Sequence, residues 1–524
     1  MTVNVSEYLR AAAQNDPEGV ALVEHRPDRR AVTWRELDES ADRVARALSG
    51  RGLVAGQRVA IVMANRVDLP IAYYGVLRGG MVAVPINPRS TTREIGRMLA
   101  DSRSRVVLCD EAGIAQVREA VSDDHQVAVV VDGAPAQGEE ASFESFLADA
   151  SGADPAAPID AETLAVILYT SGTSGKPRGA MLTHRALIAN TEQIARLEPP
   201  AMTADDICLG LLPMFHIYGL NCVLGQAVRQ GATVVLVDGF DPGGLLDLIA
   251  AEGITNLPLA PPVVAAWAGR DDLRDKLARV RTILSGASAL EHDLAEAFLE
   301  SSGHRIEQGY GLTETAPVIT TTHGWPPDAE NHIKHGSVGR ALPGVELRIV
   351  EGNGVDAAPG DPAEIWVRGD NLFSGYWPDG ADGPGDDGWY ATGDVGYLDA
   401  DGDLTLVDRL RELVIVSGFN VYPFEVEDSI AEVDGVGQVA VVGVPDEETG
   451  EAVIAFVVPA KGVAVDEETL LEAIDAHCRT RLARFKQPRR TIIVTGLPHS
   501  ATGKVAKGRL RALARSQALG LGAS

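Results

Sequence analysis

Apolar, β-branched runs alternate along the chain with segments whose apolar residues recur at helical spacing. Arg58–Ala64 (RVAIVMA), Arg105–Asp110 (RVVLCD), Leu164–Tyr169 (LAVILY) and Ala232–Asp238 (ATVVLVD) read as strands. Helical patterns lie between them. The one over Trp34–Ser49 opens on Thr33-x-x-Glu36, a capping box that satisfies two orphan amides at a helix start. This alternation predicts an α/β fold with much parallel sheet. Asp132–Ala161, rich in Ala, Gly, Pro and acid, reads as a surface connection with one short helix. Trp377–Trp389 (WPDGADGPGDDGW) reads as a turn-rich loop. No internal repeat or heptad is visible.

The pattern changes near Asp408–Arg411. Beyond it a helix is expected over Phe424–Glu432, strands over Val439–Val444 and Val453–Val458, a helix over Glu467–Ala483 and a strand over Thr491–Val494. The expected organisation is a large N-terminal domain of layered sheets with flanking helices, residues 1–409, and a small α+β domain, residues 410–524. A length of 524 residues agrees, since one core rarely serves so long a chain.

Composition excludes several classes. With 45% hydrophobic and 23% charged residues the chain is ordinary for a globular protein. The N-terminus lacks a basic run followed by an apolar run, and no stretch is long enough to span a bilayer, so a cytoplasmic location is expected. Cys109, Cys208, Cys222 and Cys478 are scattered without metal-ligand spacing and read as reduced thiols. The formal net charge of −28 disfavours nucleic acid and anionic lipid as partners. It also repels phosphates and carboxylates, so a site for either must be locally positive.

One segment stands out chemically. Tyr169-Thr-Ser-Gly-Thr-Ser-Gly-Lys-Pro-Arg-Gly179 follows a predicted strand. Small residues let backbone amides wrap an anion, the hydroxyls of Thr170, Ser171, Thr173 and Ser174 add donors, and Lys176 adds charge. Gly172 and Gly175 give the turn its freedom. The spacing is not that of a Walker A loop. Four further segments, in chain order, are Gln308-Gly-Tyr-Gly-Leu-Thr-Glu314, Tyr390-Ala-Thr-Gly-Asp394, Asp408-Arg-Leu-Arg411 and Ser500-Ala-Thr-Gly-Lys504. Each alone is a common turn or basic pair.

Together, these segments resemble the adenylate-forming superfamily: acyl- and aryl-CoA synthetases, peptide-synthetase adenylation domains and beetle luciferases. The match runs from about Thr33 to Arg511 and looks closest to the fatty-acyl and coumarate-type CoA ligases. The resemblance implies ATP and Mg²⁺ in a reaction that joins a carboxylic acid to AMP and passes the acyl group to CoA. It implies that Tyr310 stacks on adenine, with Gly286, Ala287, Ser288, Gln308, Gly309 and Gly311 beside it. Thr313 would touch the α-phosphate, Glu314 with Thr173 would hold Mg²⁺, and Asp394 and Arg409 would take the ribose hydroxyls. Arg411 would be the hinge and Lys504 the lysine reaching the acid and α-phosphate. His216 and Tyr218, in Leu212–Leu220, would border an acyl pocket completed by Leu284, Ala287, Gly311, Pro317 and Val318.

CoA is expected at Ser417, Gly418, Phe419, Arg484 and Lys486. The latter two lie in a basic stretch (Arg479, Arg481, Arg484, Lys486, Arg489, Arg490) that reads equally as a phosphate dock or a solvated helix end. Ile415 and Ser417 stand where the coumarate ligases carry lysines, Asn420 where they carry glutamine, and Ala363 where glycine is usual. Phe215–Asn221 lacks the aspartate that anchors an α-amino group. The pocket candidates, mostly apolar or small, predict a medium-to-long aliphatic or aryl acid. The alternative acceptor is an acyl-carrier-protein thiol. A luciferase-like oxygenase and a nucleotide binder without turnover are the more distant readings.

Overall fold

The computed structural model describes the chain except for residues 1–2, 26–28, 122–126, 151–159, 171–176, 288–289, 325–333, 335, 353, 410–411, 413, 417–418, 447–448, 461–465, 500–504 and 519–524. At 408–409, 415, 419–420, 450 and 515–518 it describes the backbone alone. The chain forms two compact units, residues 1–347 with 367–390, and residues 348–366 with 391–524. The boundary expected from sequence, 409/410, falls inside the second unit.

Among the described residues, the first unit holds two large sheets. One runs in the order Ala141–Ser142, Ala128–Val131, Val106–Cys109, Arg58–Val62, Val82–Pro85, Leu164–Thr170, Arg178–Thr183. Its pairs are parallel except the last, where Thr170 faces Arg178 across an antiparallel ladder. The other runs Arg340–Ala341, Val318–Thr321, Glu307–Gly311, Thr282–Ser285, Asn256–Leu259, Ile207–Gly210, Thr233–Leu236, Val20–Glu24, Arg30–Thr33. The predicted strands and the helix Trp34–Gly50 appear where expected, and Thr33 and Glu36 close the capping box.

The continuous apolar runs have a simple cause: both faces of these sheets are covered. Val234 and Leu236 point into one core while Val235 points into another. The first core joins both sheets, through Val59, Ile61 and Leu108 on one and Leu22 and Leu236 on the other, with the helices Trp34–Gly50 and Asp68–Arg78. The second lies under the helices Pro242–Glu252, Pro261–Trp267 and His292–Ser302. Every residue of Asp68–Arg78 is buried. Its Arg78 is tolerable there because Asp38 and Asp42 pair with the guanidinium at 2.5 and 2.9 Å. At Gly75 a Cβ would stand 2.4 Å from Val44 Cβ, so glycine lets the two helices meet.

A sheet of four strands follows, in the order Glu346–Val350, Ala363–Arg368, Tyr390–Leu398, Leu404–Arg409. In the second unit Phe419–Val421, Val414–Val416, Gly450–Pro459 and Val436–Asp446 form another, extended by Arg490–Ile493. Helices Pro423–Ala431 and Glu467–Arg481 pack on one face, and Lys507–Ala518 on the other. The expected helices and strands of this region are all present, with longer strands. No helix among the described residues is long and apolar enough to cross a membrane. The four cysteines are free, and burial pushes the Cys109 and Cys478 thiols up to about 12 and about 11.

Candidate active site

In the first unit, the predicted nucleotide and acid residues converge where parallel strands end. Thr282–Ser285 and Glu307–Gly311 run side by side, with Leu284 opposite Glu307 and Ser285 opposite Gln308. Glu307–Gly311 then pairs with the returning strand Val318–Thr321, Tyr310 opposite Thr320 and Gly311 opposite Val318. Such strand ends are where open α/β sheets bind ligands. The connection 312–317 is tight. Leu312 N–H donates to Pro317 O at 3.1 Å and to Thr315 Oγ1 at 3.0 Å, and Thr315 Oγ1 donates to Pro317 O. A Cβ at Gly311 would stand 1.8 Å from Pro317 O, so only glycine fits. Ala287 and Ala316 have φ of +73° and +62°, a left-handed backbone that costs alanine about 1 kcal/mol and that clusters at ligand sites.

This turn presents Thr313 and Glu314. Thr313 is half-buried, and its hydroxyl has no partner among the described residues. Glu314 is 9% exposed. Its Oε1 accepts the Tyr376 hydroxyl at 2.5 Å, while Oε2 has no partner among the described residues. Tyr376 is held from several sides. The Arg178 guanidinium lies 3.7 Å from its ring centroid, and Phe373 packs edge-on at 5.1 Å. Its segment pairs with the strand Arg178–Thr183, through Trp377 N to Gly179 O at 2.7 Å and Ser374 N to Met181 O at 2.9 Å. Arg178 also pairs with Asp382 at 2.6 Å. Burial, then the Glu314 charge, pushes the Tyr376 phenol up, so it is a neutral donor. Thr170 and Pro177 flank the undescribed part of the expected phosphate loop; Ser171, Gly172, Thr173, Ser174, Gly175 and Lys176 lie outside the described residues, as does Ser288.

A divalent cation fits Glu314. One hard carboxylate oxygen is fixed by a phenol and the other is unspent, as a ligand shared with a triphosphate requires.

The residues expected to border the acid start a π-helical turn, Tyr218–Gly225, a form frequent at functional sites. Tyr218 reaches across to the strand end: its hydroxyl donates to Leu284 O at 3.2 Å, and its ring lies where a side chain at Gly286 would be. Burial pushes this phenol well up, so it stays neutral. His216 Nδ1 accepts the Tyr218 N–H at 3.3 Å. Buried amides lock the wall. Asn221 Nδ2 donates to Ala316 O at 2.7 Å; Asn190 Nδ2 donates to Val318 O at 2.7 Å, and its Oδ1 accepts Val318 N–H at 3.1 Å. Asn371 Nδ2 donates to Thr315 O at 2.8 Å. His216, Tyr218, Leu284, Gly286, Ala316, Pro317 and Val318 are thus tied into one wall.

In the second unit, Asp394 faces Arg409 directly across the ladder, so both predicted ribose ligands share one strand pair. Asp394 is 6% exposed, and the preceding turn is fixed by Thr392 Oγ1 to Ile365 O at 2.8 Å and Gly393 N to Glu364 Oε1 at 3.2 Å. Arg411 and Lys504 lie outside the described residues. The Lys504 segment is bracketed by a bridge between His499 and Val505. Lys507, just beyond it, pairs with Glu412 and Glu427, both at 2.9 Å. Ser417 and Gly418 also lie outside the described residues. Phe419–Val421 packs beside the Arg484–Lys486 turn. Lys486, Arg481, Arg479 and Arg489 are paired with Glu425, Glu432, Asp475 and Asp446. Arg484 and Arg490 carry no ion pair among the described residues.

Sequence reasoning missed Tyr376, Arg178 and Asn190. Arg178 was within reach, a cation at the end of the phosphate loop. The others have no local signal.

Comparison with known proteins gives the family. The family model for AMP-binding enzyme matches residues 9–377, and that for AMP-binding enzyme C-terminal domain matches 425–504. The chain is 34% identical to an indoleacetate–CoA ligase of Aromatoleum aromaticum over 98% of each protein. It is 32% identical to a long-chain-fatty-acid–CoA ligase of Bacillus subtilis, over 92% of this chain and 91% of that one. Its fold superposes on the ATP-bound MatB crystal structure from Rhodopseudomonas palustris with a TM-score of 0.87 at 31% identity, over 99% and 100% of the two chains. The protein belongs to the AMP-binding enzymes, the adenylate-forming superfamily, and within it is an acid–thiol ligase.

Proposed function

We propose that this chain is an ATP-dependent acyl-CoA synthetase acting on a medium-to-long fatty acid or an aryl acid. The observation that carries the reading is Glu314. Its carboxylate is held by Tyr376 with one oxygen unspent, on a rigid turn tied to the strand that leads out of the phosphate loop. A carboxylate oxygen of the acid attacks the α-phosphorus of ATP, the bond to the β-phosphate oxygen breaks, and pyrophosphate leaves. Two anions must meet, so cationic and hydroxyl groups offset their repulsion. Thr313, the loop hydroxyls, Lys176 and Lys504 are the candidates. Mg²⁺ bound at Glu314 would supply charge neutralisation on the phosphates. Tyr310 would carry the adenine, Asp394 and Arg409 the ribose.

The acyl-adenylate then meets the thiol. Sulfur attacks the acyl carbon, AMP leaves with its oxygen, and the thiol proton goes to solvent. The expected hinge at Arg411, dividing 1–409 from 410–524, would withdraw Lys504 between the two steps. For CoA, Arg484 and residues 417–419 remain the candidates; Lys486 is already neutralised by Glu425 at 2.6 Å. The apolar or small wall of Tyr218, Leu284, Ala287, Gly311, Pro317 and Val318 supports an aliphatic or aryl acid. The names of its relatives, ligases for an aryl acid and for long-chain fatty acids, point the same way. Buried reduced thiols accord with a cytoplasmic setting.

The test is pyrophosphate release from ATP and Mg²⁺ across a panel of acids, each with and without CoA. Release that needs one acid class and rises strongly with CoA is expected. Acid-dependent release that ignores CoA would replace CoA by a carrier-protein thiol, and release with no acid in the panel would overturn the reading.

A further inference from the structure

Glu314 and Tyr376 are 62 residues apart in the chain, yet their side chains meet at 2.5 Å. The phenol is not a casual neighbour. Its ring is clamped between the Arg178 guanidinium, 3.7 Å from the centroid, and Phe373, which is 1% exposed and also packs edge-on against Tyr390 at 5.1 Å. The backbone of Tyr376 is fixed as well. Its N–H donates to Ala381 O at 2.9 Å, and a Cβ at Gly375 would stand 2.1 Å from Gly380 O, so the chain can turn there only as glycine. Arg178 in turn is anchored by Asp382 and sits in register with Thr170, at the mouth of the phosphate loop.

A carboxylate on a short turn has free rotation about its last two bonds. A donor that occupies Oε1 removes that freedom and leaves Oε2 in one fixed position. Groups that orient a metal-binding carboxylate typically change metal affinity 10–100-fold when removed. We propose that Tyr376 is a positioning residue: its hydroxyl, with its ring held by Arg178, fixes the Glu314 carboxylate in the one orientation that offers Oε2 to a nucleotide-bound divalent cation. The column Arg178–Tyr376–Glu314 then ties the base of the phosphate loop to the cation site. This deepens the proposed function and rests on its assignment of Glu314.

The experiment measures retention of Mn²⁺ by the full-length protein with a non-cleavable ATP analogue (α,β-methylene-ATP), by electron paramagnetic resonance. No acid and no thiol acceptor is needed. Tyr376→Phe keeps the ring, its stack on Arg178 and its contact with Phe373, and removes only the hydroxyl. The expected result is an apparent Mn²⁺ dissociation constant raised about tenfold, with analogue binding in the absence of metal unchanged. Glu314→Gln should weaken retention at least as much. The double variant should be no weaker than Glu314→Gln alone, because the phenol acts through the carboxylate. An unchanged constant in Tyr376→Phe, or additive losses in the double variant, would overturn the proposal. Failure of the wild type to retain the cation would remove both the proposal and the role of Glu314. Normal retention with no active acid in the panel would sink the ligase reading while leaving the positioning role intact.

Discussion

His184 is wholly enclosed, with Nδ1 accepting the Val5 N–H at 3.2 Å and Nε2 without a partner. It also begins the helix His184–Ala195, whose N-terminal dipole opposes a positive charge. Burial lowers its pKa to about 4, against about 6.5 in an unfolded chain. The folded protein therefore binds the proton less readily than the unfolded one. Stability from this group is fully present above about pH 6.5 and is lost as the pH falls to about 4. Asp132 works oppositely in the same window. Burial and then Asp68 raise its pKa to about 6, so its protonation favours the folded state as the pH falls. The wild type alone would blend the two, and a variant separates them. His184→Asn keeps an acceptor for Val5 and removes the titration. Denaturant unfolding should show its stability relative to wild type improving by roughly 2–3 kcal/mol between about pH 7.5 and about pH 4.5. A constant difference would contradict the buried neutral ring.

At the scale of elements, the 311–318 turn illustrates how rigidity is made. Its short run of mixed residues would be mobile as an isolated peptide. Gly311, Thr315, Asn190, Asn221 and Asn371 turn it into a fixed platform by spending buried hydrogen bonds on its backbone. Gly311→Ala should be felt at once, since its methyl would stand 1.8 Å from Pro317 O. The turn or the strand must move, at about 1–3 kcal/mol, and Glu314 moves with it. Urea unfolding should register the loss of stability, and pyrophosphate release should fall more than the loss of folded protein explains. A variant with normal stability and normal release would show that the turn is looser than drawn. The strands and helices around it were readable from periodicity, because burial on both sheet faces imposes apolar runs. The amide clamps were not. Asn190 and Val318 are 128 positions apart, and an asparagine inside a helical pattern carries no mark of the strand it will hold.

At the scale of the whole molecule, the second unit carries Asp394 and Arg409, opposite one another on one strand pair, and in its sequence Lys504. If Lys504 serves the first half-reaction alone, Lys504→Ala should abolish acid-dependent pyrophosphate release. It should leave thioester formation from supplied acyl-adenylate largely intact. Equal loss of both steps would remove the two-state division of labour. Paired measurements of the half-reactions, with and without supplied adenylate, decide the matter.

The sequence by itself determined the class of chemistry. The phosphate loop, cation carboxylate and ribose acid that the family resemblance implies are each local demands, met by neighbouring residues, so they leave short patterns. It determined the layered α/β architecture for a similar reason, since hydrophobic period follows burial. Only the tertiary structure decided how the site is held: which phenol fixes Glu314, which guanidinium fixes the phenol, which amides brace the turn, and which cations of the basic stretch are already paired. Those contacts join residues tens to hundreds of positions apart. Their energy depends on distances that exist only once the sheets have packed, and no single segment of the chain can carry that information.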